Sequence, residues 1–161
     1  MTRSHLFSAF RLRGLELVNR IVVAPMGQYS AIGGSATDWH LMHLGQFAVN
    51  GAGMLITEAT AVSPEGRITP DCLGLYSDAN EAALERVVRF CKTHSPTAIG
   101  VQLSHSGRKG STYPPARGRN APLSEADGAW KTLSSAAQPR ANGWPIPRAA
   151  DAQDIVKVVQ D

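Results

Sequence analysis

The chain has little of what marks several specialised classes of protein. No stretch approaches 18 consecutive apolar residues, so a membrane span is not expected, and polar residues interrupt the N-terminal segment where a signal peptide would be apolar. Its two cysteines, Cys72 and Cys91, form no C-x-x-C pair, which argues against a disulfide framework or a zinc site and favours a reducing, cytoplasmic compartment. The net charge is only +3 and no basic run with interleaved aromatic residues occurs, so nucleic acid is not an expected partner.

The composition is that of an ordinary folded domain. Hydrophobic residues make up 43% of the 161 residues and charged residues 18%, which is enough apolar material for one core. The length falls well short of the ~250 residues of a closed eight-stranded α/β barrel. Length alone therefore predicts a single modest domain.

Short apolar runs predict three strands. They cover residues 21–26, 54–62 and 98–103. The first is a β-branched run without polar alternation, which is typical of a strand buried on both faces of a parallel sheet, and the second is predicted to be another buried strand. An N-terminal hairpin is predicted within residues 1–20, because residues 6–18 alternate loosely around Gly14.

Two helix-like segments separate the predicted strands. The first helix is predicted over residues 39–49 with Asp38 as its N-cap, and the second follows a cap on Asn80. In the second, apolar residues recur at helical spacing, namely Leu84, Val87, Val88 and Cys91. The order strand, helix, strand, helix, strand predicts right-handed βαβ units and a parallel sheet.

The pattern breaks after the third strand. Residues 104–150, which we call the excursion, have no clear period and hold six of the ten prolines, as is typical of a functional loop or of disorder. A helix start follows at residues 151–154, and the chain ends at Asp161 barely two turns later. The sequence is therefore expected to continue beyond Asp161.

The residues that follow the strands are candidates for a ligand site, because parallel α/β sheets bind ligands at the carboxyl ends of their strands. Small residues such as Gly27 and Ala59 would let a flat ligand approach the backbone, and the Gln102 amide can donate and accept at once. The alternative is that Gly27 and Ala59 are packing choices and that Gln102 satisfies local backbone.

Several segments form a combination that is far more specific than any one of them and that spans most of the chain. They are residues 17–26, 28–30, 38–40, 51–53, 58–69 and 102–109. In this order they resemble the Old Yellow Enzyme family, and most of all its bacterial thermophilic-like ene reductases.

The resemblance implies an α/β fold of the (β/α)8 TIM-barrel type that binds FMN. Within one FMN-binding domain, this chain of residues 1–161 would supply roughly the first three βα units and the excursion. The implied activity is that of an oxidoreductase that takes hydride from NADPH or NADH and reduces activated alkenes such as enones. The complete protein is expected to be a homo-oligomer.

The resemblance also implies residue roles. Pro25, Met26 and Gly27 would lie along the isoalloxazine ring, while Ala59 and Gln102 would contact its polar edge and pyrimidine portion. The implied cofactor-binding set is Pro25, Met26, Gly27, Ala59, Gln102 and His105. Tyr29 is the one implied catalytic residue within the chain, on the substrate side of the ring.

Two departures from the family pattern stand out. Gly27 occupies a position where this subclass usually has a cysteine close to the flavin, which predicts a shifted flavin potential and an altered substrate range. The family's substrate-anchoring pair, a histidine with a second histidine or asparagine, and its phosphate-binding loops would lie beyond Asp161. The chain alone is therefore not expected to be a competent enzyme.

Other interpretations of the same residues stay open. Asp38, His40 and His43 could suggest a metal site, but they fall short of the usual ligand sets, and no metal is predicted. His105 and Arg108 could serve a ligand or could hold the excursion in place by hydrogen bonds. The alternatives for the whole chain are a non-catalytic half-barrel that needs a complementary chain and a related flavoenzyme of the dienoyl-CoA reductase type.

Overall fold

An antiparallel hairpin comes first in the structure, a computed structural model that describes residues 4–118 and 120–161. Strand β1 (Phe10–Leu12) pairs with β2 (Leu15–Leu17), and the turn between them contains Gly14. The predicted hairpin is therefore present; residues 1–3 of the segment lie outside the described residues.

A three-stranded parallel sheet forms the centre of the fold. Its strands are β3 (Val22–Val23), β4 (Met54–Ala61) and β5 (Ala98–Ser104), in that spatial order. All three strands were predicted, but β3 is much shorter than residues 21–26, because only Val22 and Val23 pair with β4. The chain passes Pro25, which has no N–H to donate, and leaves the sheet.

Two helices connect these strands, as the βαβ pattern predicts. Helix α1 (Asp38–Val49) has Thr37 as its N-cap, and α2 (Asp78–His94) has Ser77, whose hydroxyl accepts the Asn80 N–H at 3.3 Å. The predicted caps, Asp38 and Asn80, were wrong. The Asn80 side chain does not cap α2. It is buried, and its amide donates to the Gly33 carbonyl and the Ser35 hydroxyl in the loop before α1.

The hydrophobic core lies between the sheet and the two helices, and its buried members are Leu44, Ala48, Leu55, Val87 and Cys91. Val22, Val101 and Leu103 are nevertheless exposed. The prediction that residues 21–26 form a strand buried on both faces was therefore wrong at Val22. The exposed residues lie in β3 and β5, the outer strands of the described sheet, whereas β4 between them is largely buried.

The excursion is irregular, as predicted, but it is ordered by short elements. It contains strands β6 (Leu133–Ser134) and β7 (Arg148–Ala149), which pair in parallel. It also contains short 3₁₀ helices at Gly107–Lys109, Pro115–Arg117 and Glu125–Asp127. Two more 3₁₀ helices lie outside the excursion, at His5–Phe7 and Pro64–Gly66. Helix α3 (Ala152–Gln160) begins at the predicted helix start, with Asp151 as its N-cap.

Candidate active site

The carboxyl ends of the parallel strands meet at one edge of the sheet. Ala59 and Gln102 are direct neighbours there, because β4 and β5 pair in register at this point. Residues 25–27 follow the end of β3 at the same edge. Gln102 is exposed, and its side-chain amide makes no hydrogen bond with the described residues, so it remains able to donate and accept. Three strand ends thus present backbone and a free amide to one space.

A β-bulge in β4 shapes this edge. Between Ile56 and Ala59 the strand advances three residues while β5 advances two, from Gly100 to Gln102. The additional residue changes the direction in which the side chains after it point. The bulge is held by Thr57, whose hydroxyl lies 3.2 Å from that of Thr60. Periodicity in the sequence contains no sign of this bulge.

A buried hydrogen-bond network joins the bulge to the first strand end. The Glu58 carboxylate accepts the Gln28 backbone N–H at 3.1 Å and lies 3.1 Å from Nε2 of His40. Nδ1 of His40 accepts the Thr37 N–H at 3.0 Å, so the ring proton is on Nε2 and is donated to Glu58. Both side chains are nearly inaccessible, at 1% and 2% exposed. The network fixes the loop that carries Met26 and Gly27.

Residue-based reasoning did not assign a role to Glu58, although one signal was present. Glu58 is the only charged residue in β4, and a carboxylate in a buried strand must be paired, because an unpaired buried charge is strongly unfavourable. The suggested metal cluster is not formed. His40 is engaged by Glu58, Asp38 pairs with Arg86 at 2.6 Å, and no group of three or more His, Cys, Asp or Glu side chains gathers in the described ranges.

Gly27 and Tyr29 are packed against each other. Tyr29 has φ of 52°, in the left-handed region, and this conformation turns its ring back over Gly27. A Cβ at position 27 would lie 3.3 Å from Cζ of Tyr29. Burial raises the pKa of the Tyr29 hydroxyl, and the nearby Cys72 and Glu58 add to this, so the phenol stays protonated at neutral pH and can donate.

His105 lies at the start of the excursion, where β5 has ended. Its Nδ1 accepts the Gly107 N–H at 3.2 Å, and its ring lies beside Gly66. Nε2, which must then carry the proton, is buried and has no hydrogen-bond partner among the described residues. His105 therefore holds the excursion through one nitrogen and keeps a free donor on the other. Arg108 is exposed at the surface of the excursion.

The parallel βαβαβ unit, with small residues, a free amide and a protonated phenol at its strand ends, is an α/β fold with a candidate ligand site. The chain belongs to the NADH:flavin oxidoreductase / NADH oxidase family, whose model matches residues 5–161. This confirms the predicted family.

Curated relatives support the same membership. The chain is 40% identical over 158 residues to an NADH:flavin oxidoreductase of Gibberella zeae. This alignment covers 96% of this chain and 38% of that protein. The chain is 37% identical over 157 residues to an NADPH dehydrogenase of Geobacillus thermodenitrificans, with 96% and 41% covered. The chain thus spans about two fifths of the length of these relatives.

Solved structures confirm the predicted barrel fold. Morphinone reductase superposes with a TM-score of 0.78 at 24% identity over 99% of this chain and 44% of its own. An Old Yellow Enzyme homologue from Zymomonas mobilis superposes with a TM-score of 0.78 at 23% identity over 98% and 42%. Among the described residues, no helix is long and apolar enough to cross a bilayer.

Proposed function

We propose that this chain forms the flavin-facing wall of an FMN-dependent oxidoreductase that consumes NADPH or NADH and reduces activated C=C bonds. The observation that carries the proposal is the shared edge at which Ala59 and Gln102 lie side by side, with residues 25–27 at the end of the neighbouring strand. A morphinone reductase with this fold has been solved in complex with tetrahydroNAD, which supports a nicotinamide donor.

The residues present fit a flat heteroaromatic ring. Gly27 has no side chain and is exposed, and the three atoms nearest to a Cβ at this position all belong to the Tyr29 ring, so a flat ring can approach the backbone closely. The free Gln102 amide can pair with adjacent carbonyl and N–H groups of a pyrimidine edge. When bound, the flavin supplies the redox chemistry, while the protein supplies binding and orientation.

The remaining site residues contact the ring, donate hydrogen bonds or position the loop after β3. In this proposal Pro25 and Met26 line the ring, and the backbone of Ala59 meets its polar edge. Nε2 of His105 is a spare donor near the end of β5, and the protonated Tyr29 hydroxyl donates to the substrate. Glu58 and His40 touch neither ligand and act as positioning residues for the loop after β3.

Ring recognition is tested with riboflavin, which has the isoalloxazine ring but no phosphate. The 161-residue chain should quench riboflavin fluorescence saturably. Gln102→Leu should weaken binding roughly tenfold, because one or two hydrogen bonds worth about 0.5–1.5 kcal/mol each are lost, without changing the melting temperature. Gln46→Leu, an exposed amide on α1, is the matched control and should bind as the native chain does. No saturable quenching, or equal affinity for Gln102→Leu and the native chain, would overturn the proposal.

A further inference from the structure

A small cavity lies between Tyr29 and the excursion. Its volume is about 110 Å³. The polar residues that line it are basic, hydroxylic or amidic, none of the described lining residues is acidic, and they include Tyr29, Lys109, Thr112, Tyr113, Asn120 and Arg140. We call it the Arg140 cavity. Arg119 is outside the described residues and is not assigned to it.

Arg140 is an unusual guanidinium. One of its faces lies over the Trp144 ring, 4.7 Å from the centroid. Its Nη1 is buried and has no hydrogen-bond partner among the described residues. A guanidinium cannot escape this by losing its proton, because arginine stays protonated in proteins. Since a buried donor on a charged group is costly when unpaired, an oxyanion opposite Nη1 would stabilise the arrangement.

The other polar groups divide into free and engaged donors. Lys109 forms no ion pair in the described part of the chain, and the Tyr29 hydroxyl makes no hydrogen bond there. By contrast, Tyr113 donates to the Asp127 carboxylate and Thr112 donates to the Lys109 carbonyl at 2.8 Å. The free donors are therefore two cations and a phenol, which is the donor set that binds carboxylate or phosphate.

Size restricts what can enter. A cavity of roughly 150 Å³ is known to hold benzene, so about 110 Å³ is too small for a ring of that kind. It is large enough for a single carboxylate or phosphate group. The rest of any larger ligand must then extend out of the Arg140 cavity.

We propose that the Arg140 cavity binds an oxyanion group, held by Arg140, Lys109 and the Tyr29 hydroxyl. Tyr29 also packs on Gly27, so a ligand anchored here reaches the flavin-facing edge. The oxyanion is the carboxylate of an acidic alkene substrate or a phosphate of the nicotinamide nucleotide. The identity of the molecule that carries the oxyanion rests on the proposed function. The binding of an anion by the Arg140 cavity does not depend on that function.

The test is titration of the 161-residue chain with inorganic phosphate and, separately, with acetate, at constant ionic strength set by chloride. Tryptophan fluorescence should change saturably, because Trp144 lies beneath Arg140, and the melting temperature should rise. Arg140→Ala should weaken binding about tenfold or more, and Arg140→Lys less, since the charge remains. Arg89→Ala, an exposed guanidinium paired with Glu85 on α2, should bind as the native chain does. A response that is absent, or that persists equally in Arg140→Ala, overturns the proposal.

Further outcomes distinguish an acidic substrate from the nucleotide as the source of the oxyanion, and the flavin proposal from the cavity proposal. Preferential binding of acetate supports an acidic substrate, and preferential binding of phosphate supports the nucleotide. Riboflavin binding should be unchanged in Arg140→Ala. If phosphate or acetate binds while riboflavin does not, the Arg140 cavity is supported and the flavin proposal fails. If riboflavin binds and neither anion does, the cavity proposal alone fails.

Discussion

The buried Glu58 carboxylate should be among the largest single contributions to the stability of this chain. Glu58→Ala removes the acceptor of the buried His40 Nε2–H and of the half-buried Gln28 N–H. A buried donor left unpaired costs about 1–3 kcal/mol and a half-buried one less, so the loss should total roughly 2–5 kcal/mol. His40 cannot relieve this by changing tautomer, because its Nδ1 already accepts the Thr37 N–H.

A conservative variant divides the effect into its parts. Glu58→Gln keeps one acceptor oxygen but presents an amide N–H to the second donor, so it should cost about half as much, roughly 1–3 kcal/mol. Glu85→Ala is the control, because Glu85 is exposed and lies 3.6 Å from Arg89. Its change should stay within about 0.5 kcal/mol, as is usual for surface ion pairs.

Urea unfolding followed by far-UV circular dichroism measures these free energies by linear extrapolation. Amide hydrogen exchange adds a local readout, since the Gln28 N–H should lose protection selectively in Glu58→Ala. The reasoning is refuted if Glu58→Ala unfolds with the same free energy as the native chain. It is also refuted if the Gln28 amide exchanges at the native rate.

Three further predictions concern single positions. Gly53→Ala places a Cβ 2.3 Å from the Asn19 carbonyl oxygen and should cost about 3 kcal/mol or more in urea unfolding, whereas Gly14→Ala, with open space, should be nearly neutral. Burial lowers the pKa of His43 from its ordinary 6.5, so this residue's contribution to stability is complete above that pH and is lost as pH falls through the lower folded value. Melting temperatures of His43→Asn should therefore fall less than those of the native chain between about pH 7.5 and 5.5. Gly27→Cys should shift the flavin potential in potentiometry of the FMN-loaded protein, and identical potentials would contradict a tuning role.

Local patterns were sufficient where one element determines its own structure. The Leu84 to Cys91 spacing predicted α2, and the apolar run after Gly53 predicted β4, because helical and strand periodicity are written in neighbouring residues. The start of α3 at residues 151–154 was also predicted, since helix-start signals involve residues only three positions apart. The Asp38 and Asn80 caps failed because several polar residues compete at each helix start, and tertiary contacts decide among them.

The sequence by itself determined the family and the parallel βαβαβ order, since these depend on short motifs and their order along the chain. Only the tertiary structure decided which groups meet. Glu58 reaches His40 across 18 residues, and Arg140 joins Tyr29 at one cavity from the far end of the excursion. Such contacts depend on the bulge in β4, the left-handed turn at Tyr29 and the course of the excursion. The physical reason is that packing brings together residues that are far apart along the chain, and such contacts leave no repeating pattern in the sequence.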